Sequence, residues 1–85
     1  MKLLYCPNCQ DIFNLAVHNK ECSCGATKGH YCEDGFHAIY TSPGVPLGLL
    51  NSEFVRALKE QPAIGLGVTF TAFVIPKKCP TFIKE

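Results

Sequence analysis

The stretch YCPNCQDIFNLAVHNKECSCG, Tyr5 to Gly25, decides how the rest of the chain is read, because it holds four of the six cysteines. They fall as Cys6-x2-Cys9 and Cys22-x-Cys24, with twelve residues between the pairs. Two tight turns that each present two thiolates suit one tetrahedral ion, and the intervening QDIFNLAVHNKE is long enough to run out and back as two strands. Gly25 can take the positive φ that lets backbone amides point at sulfur. Two details depart from the common pattern: Gln10 stands where glycine often follows the first pair, and the second pair is one residue tighter than Cys-x2-Cys. The spacing predicts Cys6, Cys9, Cys22 and Cys24 as ligands of a single structural Zn2+, since four thiolates leave no open coordination position. Cys32 or His30 would substitute if Cys24 were not a ligand.

The competing reading is two disulfides. It conflicts with the strain of a Cys-x-Cys bridge and with MKLLYC, which lacks the apolar run of a secretory signal. The longest apolar-rich run, AIGLGVTFTAFVI, is too short to cross a bilayer. The expectation is therefore a soluble protein of a reducing cytoplasm, with no membrane partner. A chain of 85 residues is one small domain. Such a domain retains roughly 3–5 kcal/mol of net stability without a staple. Hydrophobic residues make up 47% and charged residues 18%, so there is a core to bury and no disordered composition. The formal net charge of +1 argues against a protein that works mainly by electrostatic grip on nucleic acid.

Beyond the cysteines, Ile12–Val17 alternates as a half-buried strand, with Phe13, Leu15 and Val17 on one side. Asp34-Gly35 predicts a two-residue hairpin turn between Tyr31–Glu33 and Phe36–Tyr40. Pro43-Gly44 and Pro46 predict a turn entering a short extended segment. The period then changes. NSEFVRALKEQP places Phe54, Ala57 and Leu58 on one helical face, with Asn51 or Ser52 as N-cap and Pro62 as the stop. Gly65–Pro76 is rich in β-branched and aromatic residues and predicts a central strand. In KKCPTFIKE, the apolar Phe82 and Ile83 predict a docked tail. The expected fold is a small α+β domain, 1–85. Its zinc-ribbon part spans 1–28, and a hairpin, one short helix and a final strand occupy 29–85.

Few other residues carry chemistry. Cys32 and Cys79 read as plain thiols, and no base is forced against either, so no enzyme is expected. Lys2, Lys20 and Lys28 are interspersed with Asp11, Glu21, Glu33 and Asp34, which leaves no basic stripe for nucleic acid. An anionic ligand has more support in the second half. Asn51 and Ser52 open a helix, Arg56 lies on it, Lys77 and Lys78 follow a strand, and Tyr40 or Phe73 offers a ring to stack on a base.

YCPNCQDIFNL, CSCGATKGHY, DGFHAIYT, PLGLLN and FTAFVIPKKCPTF together resemble a group of short zinc-ribbon-headed proteins of phage and bacterial genomes, over nearly the whole chain. The resemblance implies a phage or mobile-element context, and so the cytoplasm of a host cell. By analogy with small phage proteins, it implies an inhibitor that sequesters a nucleotide immune signal or blocks a host defence protein. The alternative is a nucleic-acid-binding zinc ribbon serving as an accessory transcription factor. The apolar surplus for so short a chain predicts a homo-oligomer.

Overall fold

Leu4 is the pivot of the fold. The computed structural model describes residues 2–85. In it, strand β1 (Lys2–Tyr5) places Leu4 between Phe13 of β2 (Ile12–Asn14) and Pro46 of β6 (Val45–Leu49), antiparallel on both sides. With β7 (Ala72–Val74) on the far side of β6, these strands form a first sheet in the order β2-β1-β6-β7. The second sheet runs β3-β4-β5-β8, from β3 (Lys20–Glu21), β4 (Lys28–Tyr31), β5 (Ala38–Tyr40) and β8 (Phe82–Lys84). Both sheets draw strands from either side of residue 28. One helix, α1 (Asn51–Lys59), follows β6.

Alternation gives β1 one buried leucine, and β5 two inward residues, Ala38 and Tyr40. These meet Leu15 and Phe82 in the core, where the Tyr40 and Phe82 rings stand edge-on at 5.2 Å. Phe82 reaches this place because the tail does dock: β8 pairs with β5 in parallel, and the Ala38 N–H donates to the Thr81 carbonyl at 3.0 Å.

Several elements differ from the sequence reading. The strand beginning at Ile12 ends at Asn14, and Val17 is exposed. The hairpin joins β4 and β5, but its loop is six residues, Cys32–His37, not a two-residue turn. Asp34 sets that length, because its Oδ1 accepts from the Phe36 and His37 amides in an Asx-type turn. Neither Asn51 nor Ser52 is the N-cap. Leu50 holds that position, with no side-chain cap bond since leucine carries no acceptor, and its N–H donates to the Thr71 carbonyl at 2.9 Å.

The expected central strand Gly65–Pro76 shrinks to Ala72–Val74, at the edge of its sheet. β6 offers Leu47–Leu49 as partners and then turns into α1, so residues before Ala72 have no strand to pair with. As a result α1 and residues 60–71 form an arm. Within it only Ala57 is buried, while Phe54 packs edge-on against Phe70 at 5.0 Å. The molecule is elongated, 42 × 28 × 23 Å, and its Cα radius of gyration is 14.2 Å. A compact chain of this length would have about 12 Å.

Candidate functional site

Two places in the fold carry chemistry: the cysteine cluster at one end of the sheets, and a cleft beside Pro43.

The cluster is built from two turns of the same design. The Cys6 N–H donates to the Asp11 carbonyl at 2.9 Å, and the Cys22 N–H donates to the Thr27 carbonyl at 3.0 Å. Within each turn an amide returns to the cysteine carbonyl, from Gln10 at 2.7 Å and from Gly25 at 3.1 Å. Both donors sit at positive φ, 62° and 77°. Glycine takes that conformation without strain, and Gln10 holds the same geometry despite its side chain. The turns bring the sulfurs of Cys6, Cys9, Cys22 and Cys24 within 4.8 Å of one another, placed to hold a metal ion. All four thiols are free.

Sulfurs about 2.3 Å from a tetrahedral metal stand about 3.8 Å apart. Here Cys6 and Cys24 are 3.8 Å apart, and Cys22 and Cys24 are 3.5 Å apart. Cys6 and Cys22 are buried and Cys24 faces solvent, so the cluster has one wet side.

The surroundings favour thiolates. Burial opposes ionisation of Cys22, but the Thr27 amide with the Cys24 and Cys6 thiols outweighs it and draws the pKa down to about 6. The Thr27 N–H lies 3.4 Å from that sulfur, and Asn8 Nδ2 donates to Cys24 Sγ at 3.3 Å. Cys6 is held below its ordinary value chiefly by the Thr27 hydroxyl. That hydroxyl is fully buried and has no hydrogen-bond partner of normal geometry among the described residues. A thiolate at Cys6 would offer that hydroxyl an acceptor. Cys9 goes the other way, pushed up by burial. Asp11 ties the two turns together, its Oδ2 accepting from the Ser23 amide and hydroxyl. Asn8, Asp11 and Thr27 escaped the sequence reading. Only their places inside or next to the cysteine turns marked them.

Cys32 stands apart from the cluster. Its N–H donates to the His37 carbonyl at 2.7 Å and Gly35 returns to it at 2.9 Å, so Cys32–His37 repeats the turn of Cys22–Thr27. The two loops flank β4 at opposite ends, with Asp34 where Cys24 stands in the first. His37 Nδ1 contacts the Asp34 carboxylate instead of a metal site. Cys79 is half-buried. Its thiol is lowered first by the Thr81 hydroxyl, 3.4 Å away, and then by the Thr81 amide.

The cleft has a volume of about 330 Å³ and lies between the β5–β6 loop and the residues after β7. Ser42, Pro43 and Pro46 wall it, Tyr40 forms part of its floor, and Lys77 and Lys84 stand at it. No acidic residue lines it. Of the residues predicted to hold an anion, the structure brings Tyr40 and Lys77 together here. Burial chiefly, and then Cys79, hold the Tyr40 phenol above its usual value, so it is a hydrogen-bond donor at neutral pH.

The other candidates lie outside this cleft. Asn51 and Ser52 are exposed in the first turn of α1, and Arg56 pairs with Glu60 at 3.8 Å. Phe73 packs against Gly48 and Lys78 is exposed. Lys84 and Ser42 were missed, because nothing local to IKE or TSP reveals that β8 and the β5–β6 loop converge.

Comparison with family models, with curated proteins and with solved structures returned no match. No helix among the described residues is long and apolar enough to cross a membrane.

Proposed function

We propose that the chain is a non-enzymatic binding protein, stapled by one Zn2+ on Cys6, Cys9, Cys22 and Cys24, that sequesters a small anionic ligand in the Pro43 cleft. The observation that carries this reading is a mostly apolar cleft with two lysines and no carboxylate around it. Its size falls at the lower end of small-molecule sites, which suits a ligand of about mononucleotide dimensions. Lysine serves as a mobile point charge for phosphate, and the protonated Tyr40 phenol adds a donor. The resemblance to phage zinc-ribbon-headed proteins favours a nucleotide signal among such anions, and with it a host-cell cytoplasm.

Four thiolates at tetrahedral spacing support a zinc staple as the metal of this reading. All-thiolate tetrahedral sites belong to zinc or to iron, and a closed zinc site serves as a staple. Elemental analysis of purified protein should return one zinc per chain; iron, or no metal, would overturn the assignment.

Calorimetry against cyclic nucleotides and ADP-ribose derivatives tests the cleft. Binding should weaken at least about tenfold in Lys77→Ala and in Lys84→Ala, in line with the loss of one charge-assisted hydrogen bond. Absence of heat with every ligand at protein concentrations above the micromolar range removes the proposal.

A further inference from the structure

Among the described residues, the most exposed large apolar side chains sit at the tip of the arm. Ile64 is 90% exposed and Leu66 is 94% exposed. Gly65 and Gly67 flank Leu66, and a Cβ built on either would meet nothing within 4 Å, so the tip stands clear of its own subunit. No charged residue occurs from Gln61 to Pro76.

The first sheet presents the complementary feature. Alternation turns Leu4 inward, and therefore turns Leu3, Leu47, Leu49 and Val74 to the other face. With Ile12 and Phe73 these side chains line an open groove of about 360 Å³ that contains no charged residue. Nothing among the described residues covers it, and Ile12 and Val74 are each more than half exposed.

We propose that the chain forms a closed two-fold dimer in which the Ile64–Leu66 tip of each arm seats in the first-sheet groove of the other copy. The occupant is a second copy because tip and groove are both uncharged and apolar, and a single subunit supplies both. A charged partner would lose solvation at either surface and gain no ion pair. The area also fits. The one tip and one groove of each subunit, with the exposed Val55 and Leu58 of α1, present on the order of 800 Å² of apolar surface, one side of a standard interface. Reciprocal exchange fills every tip and every groove, whereas one-way docking leaves one of each exposed and propagates into a fibre. The inference is independent of the anion cleft, which lies beside Pro43.

Sedimentation equilibrium of the metal-loaded full chain tests it. The unmodified protein should be a dimer at micromolar concentration. The tip variant, Ile64→Lys with Leu66→Lys, and the groove variant, Ile12→Lys with Val74→Lys, should each weaken association at least about a hundredfold. All four side chains are exposed, so metal content should be unchanged. Mixing the two variants is decisive, because the groove variant's intact tips match the tip variant's intact grooves. The mixture should therefore regain one of the two contacts and form heterodimers.

A monomeric unmodified protein, or variants that remain dimeric, would overturn the proposal. So would a mixture that stays monomeric, since contacts of like with like would then be the ones broken. If either variant loses metal or fails to fold, hydrogen exchange on the unmodified protein decides. Backbone amides of 63–70 and of 11–14 should both gain protection as concentration rises, and a gain in neither or in only one overturns the exchange.

Discussion

Asp11 and Ser23 join the two cysteine turns: one carboxylate oxygen of Asp11 accepts from the Ser23 amide at 3.0 Å and from its hydroxyl at 3.2 Å. The bond spans twelve residues and fixes the distance between the two pairs of sulfurs. Partners of this kind around a metal site are commonly worth 10- to 100-fold in affinity. Asp11→Ala should therefore weaken metal retention by about that factor, read by competition with a chromophoric chelator. Cys6→Ser goes further, because it removes a sulfur of the cluster that is itself wholly buried. Site formation and folding are coupled in small metal domains, so that variant, or chelation of the unmodified protein, should abolish the cooperative thermal transition. An intact transition without metal would show that the core of Leu4, Tyr40 and Phe82 suffices alone.

Asp34 should titrate unusually low. Its carboxylate accepts from the Phe36 amide first, then from His37 through both side chain and backbone, and these bonds hold its pKa at about 2 against an ordinary 3.8. A depressed carboxylate contributes stability that is complete above the unfolded value, near pH 4, and is lost as pH falls toward 2. Carboxyl carbon resonances followed by NMR should give a midpoint near 2 in the folded protein. Asp34→Ala should loosen the Cys32–His37 loop at neutral pH, seen as faster amide exchange at Phe36 and His37. A midpoint at 3.8 would mean that the loop does not rest on this side chain.

What was legible in the sequence follows from how local each signal is. The cysteine pairs and Gly25 act within their own turns, so spacing alone located them, whereas Asp34 marked a turn but not its length. The helix was legible from Phe54, Ala57 and Pro62, but not its cap, because Leu50 is bonded to Thr71 from a distant segment. Pro43-Gly44 and Pro46 mark only a turn entering a short extended segment, not the inner strand β6 that pairs on both sides. In the fold Pro46 still has a carbonyl to give, and it accepts from Ile75 at 3.0 Å. The Gly65–Thr71 run has strand composition and no strand, because propensity describes fit to a half-buried pleat and no pleat is there to receive it. The cleft depends on three segments that meet only in the folded chain, so Tyr40 and Lys77 were found by chemistry and Lys84 was not.

Glu53 ties the two limbs of the arm together, joining α1 to Thr71 at the foot of β7. Its Oε1 accepts from the Thr71 amide at 2.9 Å and from the Thr71 hydroxyl at 2.8 Å. The hydroxyl, then the amide, keep its carboxyl below the usual range, so it is charged at neutral pH. A nine-residue helix is marginal by itself in water and needs such a tether. Glu53→Ala should raise amide exchange across α1 and residues 60–70 several-fold while the two sheets keep their protection. Exchange that rises equally in β1 and β5 would show that the arm and sheets unfold as one unit.

Gly44 links the cleft to the cysteine cluster. It lines the cleft, and a Cβ on it would come within 2.6 Å of Thr27 Cγ2 and 3.0 Å of the Thr41 carbonyl. Thr27 cannot easily give way, because its amide bonds Cys22 Sγ and its side chain is fully buried beside Cys6. Overpacking of this sort costs about 1–3 kcal/mol, and here the displacement passes directly to a group that steadies two sulfurs. Gly44→Ala should therefore lower the melting temperature and also release metal more readily to a chelator. Gly67→Ala is the control, since nothing lies within 4 Å of its added methyl. It should leave metal retention unchanged. If Gly44→Ala shifts stability with no change in metal retention, Thr27 fills space beside the sulfurs without holding them.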